Sequence, residues 1–582
     1  GDRMDRARVT GFAAGFAIAV GSALVVLAGW LALTGLQARS AASDLQAGVT
    51  TAQAAAAAGR LTEAAEQFPA IAADAAEVNA VMNAAPWSWV RGVPGVGDSV
   101  VAVSALAAAT DEALAPLSGG AFVRSAAATL GGGAPISRTL ADLDQLTPGL
   151  RAAARGARTN RAAVAAIDPA TVVGPLRPTV ADARQRYLQL ADGLTAAVGA
   201  ADALPTVLGA DGPRRWLVLL QNPAEARGSG GFLGAYSFAT VRDGRLRPGT
   251  RDTNNSLDTG ERVSLAGIPA DTRNLWGTDL TYMWGLNLDR HFPFTGLLAQ
   301  RAMPPGSPAV DDVVALDPFA VAALLDVTGP VTAAGVTISS TDAVDFFTRD
   351  VYTRFPDSAK KDAVVIALLD EVLARVADQE LDLTALWRTL GPVSGDGHIQ
   401  MFSNDRAVQR GLEAMPTSGV VPDRPGSWAT IAINDVAGSK MSSYLDTEVV
   451  YEASSLCPAP GAQSRITLTV RNVAPPGLTG YGSGRVDEVG GPAGSTKIDT
   501  AVYGPLGALL HQATVDGSAG AARVAASRQH PVWQRTLDLA RGQTRTFTVT
   551  FTEPWRPQDP VVFVPQPMAN PTQVTVGRPA GC

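Results

Sequence analysis

From Gly11 to Leu33 the chain reads GFAAGFAIAVGSALVVLAGWLAL, with no charged residue. About 20 apolar residues suffice for a helix to cross the hydrocarbon core of a bilayer. Residues 11–34 are therefore expected to form a transmembrane helix. Arg3, Arg6 and Arg8 stand before it, and the positive-inside bias puts residues 1–10 in the cytoplasm and the rest of the chain outside it. Trp30 falls at the outer interface. The competing reading is a cleaved signal peptide, since small residues follow at Ala38–Ala42. Secretory apolar regions run to about 7–15 residues, which favours an uncleaved anchor. The expected location is the cell membrane, single-pass, with an extracytoplasmic body.

That body is large. A chain of 582 residues exceeds what one hydrophobic core serves and divides into several domains. Its 46% hydrophobic and 17% charged residues are those of a folded protein. The net charge of -7, without a dense basic run, argues against nucleic acid as a partner, which requires clustered Lys and Arg. Lysine occurs only at Lys360, Lys361, Lys440 and Lys497. With the abundance of Ala, Gly and Val, this points to a GC-rich coding genome. The two cysteines, Cys457 and Cys582, rule out a four-cysteine zinc site within one chain. In an oxidising compartment they are expected to pair; the alternative is two free thiols.

Residues 37–205 are Ala-rich with apolar residues at helical spacing, as in LTEAAEQFPAIAADAAEVNAVMNAA, and predict a bundle of about five helices acting as collar or stalk. Trp87 and Trp89 are its one candidate partner-binding feature. At Arg214 the pattern changes. RRWLVLLQN reads as a buried strand, and GGFLGAYSFATVRDGRL as a second strand leaving through an Asp-Gly turn. Farther on, VVAL feeds a helix that starts at Asp317-Pro318, an N-cap with proline at the first helical position. Residues 340–392 return to helical spacing. The span 212–425 is thus expected to be a central α/β domain with a helical insertion. From 428 to 582 short strands between Gly, Pro and Asn turns predict a β-sandwich-like domain. The fold class read from the sequence is multidomain α+β.

The chemistry concentrates in QNPAEARGSGGFLG, residues 221–234. Gln221, Asn222, Glu225 and Arg227 stand at the end of a buried strand. Gly230 and Gly231 admit positive φ and the close approach of a ligand or a second backbone. Carboxylate and guanidinium beside amides suit a phosphate, a metal-phosphate or a sugar hydroxyl; alternatively, Glu225 and Arg227 pair with each other to rigidify the loop. No Gly-Lys-Ser/Thr follows, so this is not a Walker A loop, and neither a Gly-x-Ser-x-Gly elbow nor a His-Glu-x-x-His motif occurs. Trp276, Tyr282, Trp284, Phe292 and Phe294 lie nearby; their faces stack on sugars or make ordinary core. NDVAGSK, residues 434–440, reads as a tight hairpin.

The run WLVLLQNPAEARGSGGFLGAYSFATVRDGRL resembles the hallmark of the uncharacterised DUF4012 family of bacterial membrane proteins. LNLDRHFPF (286–294), VDDVVALDPFAVAALLDVTGPV (310–331) and WATIAINDVAGSKMSSYLDTEVVY (428–451) follow in the same order. The resemblance implies a cell-envelope protein and little about activity. A more distant likeness is to the LytR-CpsA-Psr enzymes, which transfer glycopolymers from polyprenyl pyrophosphate lipids to the cell wall, and it implies a related α/β fold. Their arginine-bearing IPRDT motif resembles IPADTR at 268–273, with Ala270 where that arginine would stand and Arg273 close by; their acidic metal ligands have no clear counterpart in GSGGF. Transfer chemistry would use Arg227, Arg273 and Arg290 to neutralise pyrophosphate. Glu225, Asp279 and Asp289 would hold Mg²⁺, the one cofactor implied; His291 is a minority candidate for the base, against an ordinary packing role. Two expectations follow: a binding or assembly role in the envelope, or a phosphotransferase acting on a polyprenyl-pyrophosphate-linked glycan or cell-wall polymer.

Overall fold

The computed structural model describes Thr51, Ala55 and residues 60–83, 91–93, 96–130, 135–379, 383–457, 461–478, 491–554 and 561–579. The expected membrane segment at 11–34, with the orientation read from it, and Trp87 and Trp89 lie outside the described residues. The described chain is mixed α+β, with helices and several sheets.

Helices come first: α1 (Phe68–Asn83), α2 (Gly97–Leu114), α3 (Gly120–Leu130), α4 (Ile136–Ala165) and α5 (Arg177–Val207), after a short Leu61–Glu66 turn of helix. Alanine brings their backbones close, and one apolar cluster joins them, including Val103, Leu106, Leu146, Leu150, Tyr187 and Leu194. Among the described residues one helix, Gly97–Leu117, is long and apolar enough to cross a membrane. It also gives Val100, Val103, Leu106 and Leu114 to the bundle core, and a buried helix meets that criterion as readily as a span does.

At Arg214 the chain enters a five-stranded sheet. In chain order its strands are β1 (Arg214–Arg227), β2 (Gly230–Arg242), β3 (Arg245–Thr253), β4 (Asp312–Leu316) and β5 (Ile399–Ser403). Their spatial order is β3-β2-β1-β4-β5. Only β1 and β4 are parallel, which requires a long crossover. Residues 254–302 supply it through α6 (Ala270–Trp276), three short 3₁₀ turns and α7 (Phe292–Ala302). Period-two alternation sends Leu217, Leu219, Val313 and Ala315 to one face, against Phe292 and Ala299 of α7. Val314 and Met401 meet Ala203 and Val207 of α5 on the other, together with Val408 and Leu412. The α8 helix (Pro318–Thr328) starts where Asp317 Oδ1 accepts from the amides of Phe319 (2.9 Å) and Ala320 (3.3 Å). A hairpin over 331–338, a π turn at Phe346–Asp350, α9 (Ser358–Asp378) and α10 (Leu383–Gly395) form the insertion before β5, and α11 spans Arg406–Glu413.

The remaining strands make two sheets of six and five strands. They enclose one apolar cluster that includes Ile431, Ile433, Leu468, Trp533, Phe547 and Phe551. The central sheet is not separate from them. β1 bulges after Leu220 and again between Asn222 and Ala226, and its end enters the C-terminal sheets: Ala226 joins their core, and its amide donates to Ser442 Oγ at 3.1 Å. Cys457 is buried and disulfide-bonded; the other cysteine, Cys582, lies outside the described residues.

Candidate functional site

The end of β1 opens onto a cleft of about 1470 Å³. Its walls come from four parts of the chain: the β1–β2 hairpin and the crossover, the helical insertion, β6 (Trp428–Asp435) with the turn behind it, and residues between Lys497 and Thr536 of the C-terminal strands. Bulges bend a strand and re-aim its side chains. Here they turn Glu225 and Arg227 onto the cleft floor, where both are buried.

Glu225 is held from two sides. Arg227 Nη2 donates to Oε1 at 2.8 Å, and Lys440 Nζ donates to Oε2 at 2.6 Å. Burial alone would raise this carboxyl, but the two cations outweigh it and hold it below the ordinary range. The Arg227 guanidinium is spent on the protein itself. Nη1 donates to the carbonyls of Ala226 (3.0 Å) and Asp435 (2.7 Å), and Nε to that of Trp284 (3.1 Å). Lys440 lies over the rings of Phe232 (5.2 Å) and Tyr352 (5.7 Å), a favourable place for a desolvated cation. Beside them Asp435 accepts from Ser439 Oγ at 2.7 Å and from the amides of Ala437 and Ser439. Burial, reinforced by the neighbouring Glu225 charge, pushes Asp435 up to about 6.

Of the expected ligand-facing residues, Gln221, Asn222, Glu225 and Trp284 line this cleft. Asn222 is committed to the fold: its Nδ2 donates to the Phe347 carbonyl (2.9 Å) and to Tyr352 Oη (2.8 Å), and Oδ1 accepts from Ala224. Gln221 is 5% exposed, and its Nε2 has no hydrogen-bond partner. Trp284 is 40% exposed and stacks on Tyr282 at 5.7 Å, 6° from parallel. Gly230 and Gly231 face chain rather than ligand. A Cβ on Gly230 (φ +135) would meet Gln221 Oε1 at 2.3 Å, and one on Gly231 would lie 2.0 Å from the Asn222 carbonyl carbon. Strand pairing is what requires them.

The three-arginine, three-carboxylate constellation does not assemble. Arg273 is exposed on α6 and is not part of the cleft. Arg290 is buried elsewhere, donating to Thr430 Oγ1 (3.2 Å) and the Pro565 carbonyl (2.7 Å), and desolvation lowers it to about 10. Asp289 is enclosed by Trp276 Nε1 (2.8 Å), Ser527 Oγ (2.9 Å), Tyr503 Oη (3.1 Å) and the His291 amide (2.8 Å). Asp279 alone of the proposed metal carboxylates stands on the cleft without an ion pair, its carboxyl raised by desolvation. Among the described residues no three His, Cys, Asp or Glu side chains converge to hold a metal ion. His291 is buried off the cleft; its Nδ1 accepts the Val421 amide at 3.1 Å, and desolvation keeps it neutral.

Sequence reading missed Lys440, Asp435 and Asn434, which lie in the segment expected to form a tight hairpin; the strands on either side of it instead enter different sheets. Lysine scarcity was the available signal: of the four lysines in the chain, Lys361, Lys440 and Lys497 line the cleft.

This cleft and the bulged β1–β2 hairpin lie largely within one matched region: the family model described as "Protein of unknown function (DUF4012)" covers residues 211–352. Residues 211–352 match the DUF4012 family. The match takes in the β1–β4 sheet, the crossover and the first part of the insertion, whereas Lys440 and Asp435 come from beyond it. No curated protein and no solved structure matches the chain.

Proposed function

We propose that the protein is a membrane-anchored, extracytoplasmic cell-envelope protein with a binding or assembly role, and that the cleft at the end of β1 is where it holds its ligand. One observation carries this reading: a cleft of about 1470 Å³ whose charged floor is neutralised from within, Glu225 by Arg227 and Lys440. Large concave sites with a few fixed polar groups are where proteins hold ligands. A floor whose charges already satisfy one another suits holding better than chemistry, which needs groups free to act on the substrate. The apolar run at 11–34 supports placement at a membrane.

The test uses the full chain in detergent micelles and measures retention of a bacterial cell-wall polysaccharide preparation. Asn255 is exposed on the cleft wall, so Asn255→Trp narrows the cleft without disturbing the core. Retention by wild type that Asn255→Trp abolishes supports the reading; equal retention by both removes the cleft from it. The phosphotransferase reading, with its distant likeness to the LytR-CpsA-Psr enzymes, has in its favour a carboxyl at about 6, Asp435, beside Arg227. Mg²⁺-dependent turnover of a polyprenyl-pyrophosphate-linked glycan, lost in Arg227→Ala, would install it instead.

A further inference from the structure

The class of ligand follows from how the cleft spends its charges, taking the cleft as the binding site proposed above. Its cations are engaged by the protein. Beyond the Glu225 triad, Lys361 pairs with Asp362 at 3.1 Å and Lys497 with Asp538 at 3.4 Å. Arg523 donates to the carbonyls of Leu275 (2.7 Å) and Asn274 (2.6 Å), closing the end of α6. Asp499 accepts from Gln534 Nε2 at 2.5 Å and Thr536 Oγ1 at 3.3 Å. Asp258 and Asp279, exposed on the walls without an ion pair, add negative charge there. A phosphate or pyrophosphate entering here meets no cation that the protein has not already engaged, and two carboxylates that repel it.

Beside these carboxylates the cleft offers neutral surface to a ligand. At the rim, Trp284 presents an open indole face whose other side is backed by Tyr282, a rigid apolar plate. Carboxylates fixed by ion pairs keep lone pairs that accept from hydroxyls. We infer that the cleft takes a neutral oligosaccharide, one ring packed on Trp284. A volume of about 1470 Å³ exceeds the roughly 300–1,000 Å³ of a site for one small molecule and fits several sugar rings.

The full chain in detergent is to be probed on an array of defined neutral and anionic oligosaccharides, with inorganic pyrophosphate and a polyprenyl pyrophosphate as soluble competitors. The expected result is binding to neutral oligosaccharides that neither competitor displaces and that changes little with added salt. Trp284→Ala, at an exposed position where folding is not at risk, should weaken it about tenfold. Binding confined to anionic glycans, displacement by pyrophosphate, or full affinity in Trp284→Ala overturns the inference. If the array shows no neutral ligand while wall polysaccharide is still retained through the cleft, the ligand class falls and the binding role stands. If both fail, the binding role falls with it.

Discussion

At the residue scale, the Glu225–Arg227–Lys440 triad shows how burial converts charge from decoration into constraint. Each of the three is nearly inaccessible, and removing one partner of a buried pair leaves an uncompensated charge that costs about 3–5 kcal/mol. Glu225→Ala strands two cations and should lower the chemical denaturation midpoint accordingly; a midpoint within error of wild type would mean that water reaches the floor. Asp435, a raised carboxyl beside the triad, gives a pH signature of opposite sign to that of Glu225. Its folded pKa of about 6 lies above the unfolded value of about 4. Between those values the folded state keeps a proton that the unfolded chain has lost, so this group's contribution falls as pH rises through the window. Stability of Asp435→Asn, followed from pH 4 to 6 (roughly that window), should therefore lose this downward trend, and persistence of the wild-type slope would assign it to another group. The sequence made Glu225 and Arg227 visible as a pair beside a glycine turn. It could not show Lys440, because residues 225 and 440 meet only through the packing of β1 against β6.

Elements in this chain are set by local signals where those signals are strong. Asp317-Pro318 announces α8, and the structure places Asp317 Oδ1 on two first-turn amides, with Oδ2 2.5 Å from His398 Nδ1. Asp317→Ala loses the cap, worth about 1–2 kcal/mol, and leaves buried His398 without its partner; a melting temperature unchanged from wild type would contradict this account of the helix start. IPADTR folds as the entry to α6 rather than as a phosphate loop. Pro269 precedes the helix, Asp271 Oδ1 accepts from the Thr272 amide, and Arg273 is left on the surface. A motif's likeness fixes its local chain path, whereas the orientation of its arginine depends on which strands pack beside it. The bulges in β1 were equally illegible, since extra residues in a strand carry no period of their own.

At the scale of the molecule, two junctions hold the parts together. Helix α5 crosses α11 where Gly199 and Gly411 meet: a Cβ on Gly199 would lie 2.4 Å from the Gly411 carbonyl oxygen. Gly199→Val should push the helices apart and cost about 1–3 kcal/mol, read as accelerated proteolysis near residue 209 and a lower denaturation midpoint; wild-type resistance would show that the crossing relaxes freely. The second junction joins the central sheet to the C-terminal sheets through Gln566, whose Nε2 donates to the carbonyls of Arg227 (2.6 Å) and Ile433 (2.8 Å) while Oε1 accepts the Ile433 amide (2.5 Å). The sequence by itself determined the kinds of element and their order: an uncharged run, alanine-rich helices, a strand beginning at Arg214, and short strands after 428. Each depends on periodicity and capping over a few neighbouring residues, so each is written locally. Only the tertiary structure decided which charges face one another. The cleft draws on residues separated by more than two hundred positions, and no local pattern encodes that Glu225 is to be neutralised by Lys440 while Arg273, Arg290 and Asp289 are turned elsewhere. The uncharged run at 11–34 marks where a membrane helix is expected; the packing of β1 against β6 decides which charges meet on the cleft floor.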